Sequence, residues 1–189
     1  MDPIRIYLIA GIAAHKIYWE VTKRRVPPTP KTPAVPPMVR LVKAAKVAFL
    51  LGICVQVLIP WTILPLSADP APLQWSGLLL YTVGLAMAIA GRAQLGASWS
   101  DIEAPGQVAK AALISHGLYR FIRHPIYTGD ILLLLGLELA INSQIVFLIL
   151  LMTPVILRQA IHEERLLVRN LPGYGAYCER TKRFLPFVA

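Results

Sequence analysis

Charge is what this chain has least of. Asp, Glu, Lys and Arg make up only 15% of its 189 residues, where an ordinary soluble domain carries about 25%. A solvated globular surface is therefore excluded over most of the molecule. Cysteine is limited to Cys54 and Cys178, far apart and without metal-ligand spacing, so neither a disulfide framework nor a zinc site is indicated. The Gly173, Tyr174, Gly175 segment lacks both a preceding strand and a third glycine, which removes a dinucleotide-binding turn. A basic stripe interleaved with aromatics is also missing, so the formal net charge of +9 does not point to nucleic acid.

What the chain has instead is apolar mass: 56% hydrophobic residues and a mean hydropathy of +0.58. It is concentrated in Ile4 to Trp19, Ala44 to Leu66, Leu73 to Leu95 and Ile131 to Ile161. A bilayer core takes about 20 apolar residues per helix. The second and third stretches suffice, and the first does so if Lys16 snorkels. A cleaved signal peptide is the rival reading of the first stretch, but Asp2 and Arg5 make a poor basic start and no small-residue cleavage site follows,. The fourth block is too long for one span and short for two. Broken at Asn142 and Ser143, it becomes a helical hairpin. The expectation is an all-α, polytopic membrane protein with about five transmembrane helices, the last two a hairpin. It forms a single domain over 1–189. Three helices fill 1–95, with a proline-rich linker over 22–43 (Pro27, Pro28, Pro30, Pro33, Pro36, Pro37) that favours extended polyproline backbone. The remaining 96–189 hold the chemistry.

The basic residues test that topology. Lys23, Arg24, Arg25, Lys31, Arg40, Lys43 and Lys46 follow the first stretch, whereas Ser67 to Gln74 hold none. Arg92, Lys110, Arg120 and Arg123 occupy the next connection, the hairpin tip has none, and the tail carries Arg158, Arg165, Arg169, Arg180, Lys182 and Arg183. Basic and neutral connections alternate, which places the amino terminus outside and the carboxyl terminus in the cytoplasm. Gly77, Gly84 and Gly91, with Ala88 between the last two, give the third helix a face of small residues for close helix packing.

Polar residues gather at the basic edge, above all in Arg123, His124, Pro125, Ile126, Tyr127, Thr128, Gly129. Pro125 removes a donor and pushes His124 toward extended backbone, so a helix starts there with open amides that suit an acceptor group. Two carboxylates within the apolar block are noted as well. Asp130 is a candidate helix cap near the interface, and Glu138 lies deeper, either functional or solvated near the hairpin tip.

Arg123, His124, Pro125, x, Tyr127, x, Gly129, the apolar hairpin, then Glu163, Glu164, x, Leu166, Leu167, then Tyr174, x, x, Tyr177 and Arg180 to Pro186 together resemble the isoprenylcysteine carboxyl methyltransferase family of integral membrane methyltransferases. Leu95, Gly96, x, x, Trp99, Ser100 and Leu113, x, x, x, Gly117, x, Tyr119 extend the likeness. The resemblance covers about Leu95 to the end. It implies an S-adenosylmethionine-dependent methyltransferase, with the cofactor admitted from the cytosol into a pocket formed by loops and the carboxyl-terminal tail, and a lipid acceptor arriving through the bilayer. Carried over by position, Gly117, Tyr119, His124, Pro125, Tyr127 and Gly129 line the cofactor on one side, Glu163 and Glu164 on the other, with Lys110 and Leu113 as additions. The implied acceptor is the carboxylate of an isoprenylated cysteine. That group is already ionised near pH 7, so catalysis rests on alignment and exclusion of water. Arg158 is the candidate for holding both carboxylate oxygens. Adjacent helical residues point about 100° apart, so one of Glu163 and Glu164 is expected to face inward, while the other pairs with Arg165 or Arg169. Glu163 is taken as a catalytic residue beside Arg158, and which of the two glutamates faces the cofactor stays open.

Three other functions stay open. The Arg, His, Pro, x, Tyr, x, Gly, Asp wording also resembles sterol reductases that use NADPH. A phospholipid or small-amine methyltransferase is a closer rival, and a non-enzymatic membrane scaffold would leave the polar edge unexplained.

Overall fold

The structure, a computed structural model, describes residues 2–24, 37–59, 62, 64–98 and 112–186. Lys110, Trp99, Ser100 and the prolines from Pro27 to Pro36 lie outside the described residues. Among the described residues six α-helices follow one another: α1 Pro3–Lys23, α2 Pro37–Leu58, α3 Ala71–Leu95, α4 Pro125–Ala140, α5 Ile145–Asn170 and the short α6 Tyr174–Arg180. Single 3-10 turns occupy Gly96–Ser98 and Gly117–Arg120. Among the described residues there is no strand, only isolated bridges pairing Pro65 with Ser143 and Ile122 with Lys182.

The boundaries have local causes. Asp2 caps α1 by accepting from the Ile4 amide at 3.2 Å, and Pro3, Pro37 and Pro125 stand at first helical positions, where a missing N–H costs nothing. α1 runs on to Lys23 and α2 starts at Pro37, so both helices extend into the expected 22–43 linker. α2 stops at Leu58 rather than Leu66, consistent with Pro60, which disfavours helical backbone before it. The hairpin breaks where Asn142 and Ser143 predict: Asn142 adopts a φ of 57°, the left-handed conformation that asparagine tolerates better than most residues.

α3 and α5 are long and apolar enough to cross a membrane, and only 22% and 17% of their apolar windows are buried. A core helix of a soluble protein would be mostly buried. Leu79, Leu148, Leu151 and Val155 instead stand exposed, as a lipid-facing surface requires. Val47–Leu58 of α2 is a shorter apolar stretch.

The small residues of α3 meet those of α4 in antiparallel register. A Cβ on Gly77 would lie 2.7 Å from the Gly136 carbonyl, one on Gly84 2.6 Å from the Gly129 carbonyl, and one on Gly129 2.6 Å from the Ala88 amide. The backbones thus touch along the expected face, which now includes Gly129 and Gly136 as its other half. α1 runs parallel to α3: the Tyr81 hydroxyl donates to Leu8 O at 2.6 Å, and the Arg92 guanidinium lies over Trp19. The carboxyl-terminal ends of α1, α3 and α5 therefore share one end of the molecule with the start of α4. This is the basic end.

The other, neutral end is closed by its own side chains. Arg5 is buried and donates to Gln56 O at 3.1 Å, Val57 O at 3.2 Å and Thr62 Oγ1 at 3.4 Å. Thr62 in turn donates to Ile141 O at 2.6 Å. Asn142 accepts from Ser67 N at 2.9 Å and donates to Ser67 O at 2.7 Å. Gln56 Nε2 reaches Ser143 Oγ at 2.8 Å and Glu138 Oε2 at 3.2 Å. Glu138 is fully buried, so it is not solvated at the outer interface.

Candidate functional site at the basic end

The tail builds the site by running alongside the His-Pro segment. Arg123 N donates to Lys182 O at 2.8 Å, His124 N to Arg183 O at 3.0 Å and Lys182 N to Phe121 O at 3.2 Å. Thr128 Oγ1 donates to Phe184 O at 3.1 Å. The tail thus takes the His124 amide, one of the donors that the proline-braced turn left open. Phe184 comes to rest against the His124 ring, with centroids 5.5 Å apart and 30° between planes.

His124 is 4% exposed, and burial pushes its pKa down to about 4, the nearby Glu164 opposing that shift and Arg123 adding to it. The ring is neutral at pH 7 and Nε2 is buried without a partner among the described residues. Tyr127 meets the same ring edge-on at 5.6 Å and hydrogen-bonds to the Glu163 carboxyl. Glu163 Oε2 is also buried and without a partner among the described residues. An imidazole nitrogen from the residue that precedes α4 and a carboxylate oxygen from α5 thus flank Tyr127, both unsatisfied. Buried polar atoms in native proteins are nearly always paired, and the exceptions need an explanation such as an absent ligand.

Glu164 behaves differently from its neighbour. It is buried and paired to Arg123, and it accepts from Arg183 Nε at 2.7 Å. The expected partners Arg165 and Arg169 are not used, because Arg123 arrives from the His-Pro turn and Arg183 from the tail. Arg123 also holds the backbone beyond α6, donating to Cys178 O at 3.0 Å and to Thr181 O. A groove of about 520 Å³ opens on this side, lined in part by Arg165, Arg169, Arg183 and Glu164.

Among the other residues picked from sequence, Tyr119 is buried, and its carbonyl accepts from Tyr177 Oη at 2.7 Å. Burial raises its phenol pKa, and the Glu163 carboxylate raises it further while Arg92 opposes. Tyr119 therefore belongs to the same neighbourhood as Glu163. Pro125 packs on Gly91, and Gly129 sits in the α3–α4 contact. Gly117, with φ 61°, has Gln94 where a Cβ would go, and Gln94 Oε1 accepts from Leu118 N at 2.8 Å. These three shape the site from behind. Leu113 approaches the Gly173 turn before α6. Arg158 is exposed and leaves the helix about 140° round from Glu163. Arg92 was not singled out by sequence, where it reads as one more basic residue of a connection. Its burial next to Trp19 becomes visible only once α1 is placed beside α3. Asp130 does not cap α4; it pairs with His15 of α1, Oδ1 to Nε2, at 3.3 Å.

Known proteins fit this picture. The cobalt-zinc-cadmium resistance protein CzcN of Cupriavidus metallidurans is 31% identical over 117 residues, 59% of this chain and 51% of that protein. The nickel-cobalt-cadmium resistance protein NccN of Alcaligenes xylosoxydans xylosoxydans is 32% identical over 117 residues, 59% of this chain and 52% of that protein. The chain spans about half the length of these curated relatives. In three dimensions it resembles the eukaryotic intramembrane Ras methyltransferase ICMT, with a TM-score of 0.56 over 82% of this chain and 55% of that one, at 18% identity. At that identity the likeness shows a shared fold. The phospholipid methyltransferase family matches residues 73–172, from the start of α3 to the end of α5, and this chain belongs to that family.

Proposed function

We propose that the protein is an S-adenosylmethionine-dependent methyltransferase acting on a lipophilic acceptor drawn from the bilayer. The observation that carries this reading is the pair of unsatisfied buried atoms, His124 Nε2 and Glu163 Oε2, on either side of Tyr127. They fit a ligand that offers both donors and acceptors, as the amino, ribose and adenine groups of this cofactor do. His124, Tyr127 and Glu163 would hold it, with Tyr119 and Leu113 alongside and Glu164 acting through Arg123 and Arg183 to fasten the tail. When bound, the cofactor supplies an electrophilic methyl group. The protein's own contribution is to orient the acceptor, keep water away and hold His124 neutral.

With five spans and the basic end in the cytoplasm, the cofactor arrives from the cytosol and the acceptor from the side. The first acceptor to consider is an isoprenylated cysteine carboxylate, which the family resemblance implies and which needs no base. An amine-bearing phospholipid is a second reading, supported by the family match over α3 to α5. Isothermal titration of detergent-solubilised protein with S-adenosylhomocysteine and with NADPH separates the methyltransferase from a reductase of similar wording. Binding of S-adenosylhomocysteine alone is expected. Binding of NADPH alone overturns the reading.

A further inference from the structure

The groove beside Glu164 carries charge that the tail contacts do not use. Its volume of about 520 Å³ lies between α5, which lends Arg165, Val168 and Arg169, and α6 with the tail, which lend Glu179 and Arg183. Arg123 and Glu164 complete the charged lining, so four arginines meet two carboxylates. Glu164 already engages two of the four: it pairs with Arg123 and accepts from Arg183 Nε at 2.7 Å. Arg165 and Arg169 are exposed and enter no ion pair or hydrogen bond among the described residues. They stand four residues apart on one face of α5, so both guanidinium groups can close on a single anion. Below them the same face turns apolar. Phe147, Leu150 and Pro154 are exposed and lie within about 40° of Ile161 around the helix, as Arg165 and Val168 do. The strip from Phe147 to Ile161 is about 21 Å long, more than one leaflet of a bilayer core of about 30 Å. This is not the side of the unsatisfied atoms, because Arg165 leaves α5 about 160° round from Glu163.

We propose that this groove is a second binding site, which holds the phosphate of an anionic membrane lipid as a resident ligand and not as a methyl acceptor. Arg165 and Arg169 take phosphate oxygens from α5, and Arg183 reaches the same group from the tail with the nitrogens that Glu164 leaves. An acyl chain lies along the strip from Ile161 to Phe147. A basic pocket at the end of a membrane helix suits such a headgroup, and arginine forks suit its oxygens. The consequence is mechanical. A phosphate shared by Arg165, Arg169 and Arg183 ties the tail to α5, and the tail is what covers His124: Arg183 O accepts from His124 N at 3.0 Å, and Phe184 stacks on the imidazole. The lipid supports the candidate site from outside without entering it. The proposal needs no cofactor and is independent of which acceptor is methylated.

The test uses the full chain in phosphatidylcholine vesicles without cofactor, and compares the association of spin-labelled phosphatidylglycerol with that of spin-labelled phosphatidylcholine. Each arginine at a membrane surface adds about fivefold to the attraction of an anionic lipid. The double substitution Arg165→Gln with Arg169→Gln should therefore weaken phosphatidylglycerol binding about 25-fold at low salt. Lys23→Gln with Arg24→Gln removes the same charge from the end of α1 and should leave that binding as it is in wild type. Unlabelled phosphatidylglycerol should also slow trypsin cleavage after Arg180 and Lys182 in wild type, and the Arg165→Gln, Arg169→Gln protein should lose that protection. Inorganic phosphate added to plain phosphatidylcholine vesicles should not protect the tail. Phosphatidylglycerol binding that survives Arg165→Gln with Arg169→Gln overturns the proposal. Equal losses in the two double variants overturn it as well, since the lipid would then answer to net charge and not to the groove. Protection by inorganic phosphate as strong as that by phosphatidylglycerol overturns the lipid as occupant, and cleavage that phosphatidylglycerol does not slow overturns the tie to the tail.

Discussion

The two ends of this helix bundle handle buried polarity in opposite ways. At the neutral end Arg5, Gln56, Thr62, Asn142 and Ser143 bond to one another and to helix-end carbonyls. Among the described residues there, Glu138 Oε1 alone is left unpaired. At the basic end His124 Nε2 and Glu163 Oε2 stay unsatisfied, while Arg123 and Arg183 are engaged by Glu164. In a membrane, where water cannot rescue a stranded group, a closed network specifies a structure and an open one reserves capacity for a ligand. The neutral end therefore fixes the hairpin, and the basic end keeps two buried polar atoms open, as the proposed cofactor site needs.

The sharpest way to break that contrast is to remove the arginine that anchors each end. Arg123 faces a buried carboxylate, and Arg123→Ala leaves Glu164 with the half-exposed Arg183 and the Cys178 thiol. Breaking a buried ion pair costs about 3–5 kcal/mol, and the tail should become open to protease beyond α6. Arg5 faces only neutral oxygens, so Arg5→Ala should cost about 2 kcal/mol and leave the tail protected. Thermal unfolding in detergent together with limited proteolysis measures both. Equal losses would mean that the two ends are held in the same way.

How much of this was legible in sequence depends on the range of the interaction. The hairpin break at Asn142, the small-residue face of α3 and the helix start at Pro125 are local, set by backbone conformation or by periodicity within one segment. The His124–Tyr127–Glu163 grouping was reached through the family resemblance, because its members are about 40 positions apart and nothing in either segment alone names the other. The partners of Glu164 were misjudged for the same reason. Helix spacing offers Arg165 and Arg169 as neighbours, but the actual cations arrive from the turn before α4 and from the tail. Arg92 and His15 carry no local signal at all, since each looks like an ordinary interfacial residue until α1 lies beside α3.

A second measurement sharpens the contrast through pH. His124 has a folded pKa of about 4, below the 6.5 of an unfolded histidine. Between those values the unfolded chain binds more protons than the native one, so stability falls as pH drops from about 6.5 to 4, by on the order of 3 kcal/mol in total. Above pH 6.5 this group adds no slope. His124→Gln should flatten that window relative to wild type, whereas Asn142→Gly at the neutral end, which loses only bonds to the Ser67 backbone, should leave the slope unaltered. An unchanged slope in His124→Gln would show that the ring is hydrated in solution and that the basic end is less closed to water than its burial indicates.

The smallest expected effect separates geometry from bonding at the hairpin tip. Asn142 contributes a left-handed backbone and two side-chain bonds to Ser67, and the two roles respond to different substitutions. Asn142→Gly keeps the conformation at little cost and loses the bonds, for about 1 kcal/mol. Asn142→Ala loses the bonds and strains the turn as well, for about 2 kcal/mol. Both proteins should bind S-adenosylhomocysteine as wild type does, since the tip lies at the far end of α4 and α5 from Glu163. If either substitution weakens that binding tenfold, the hairpin transmits strain along its length, and the ends cannot be treated as separate: the closed network would then be holding the open one in shape.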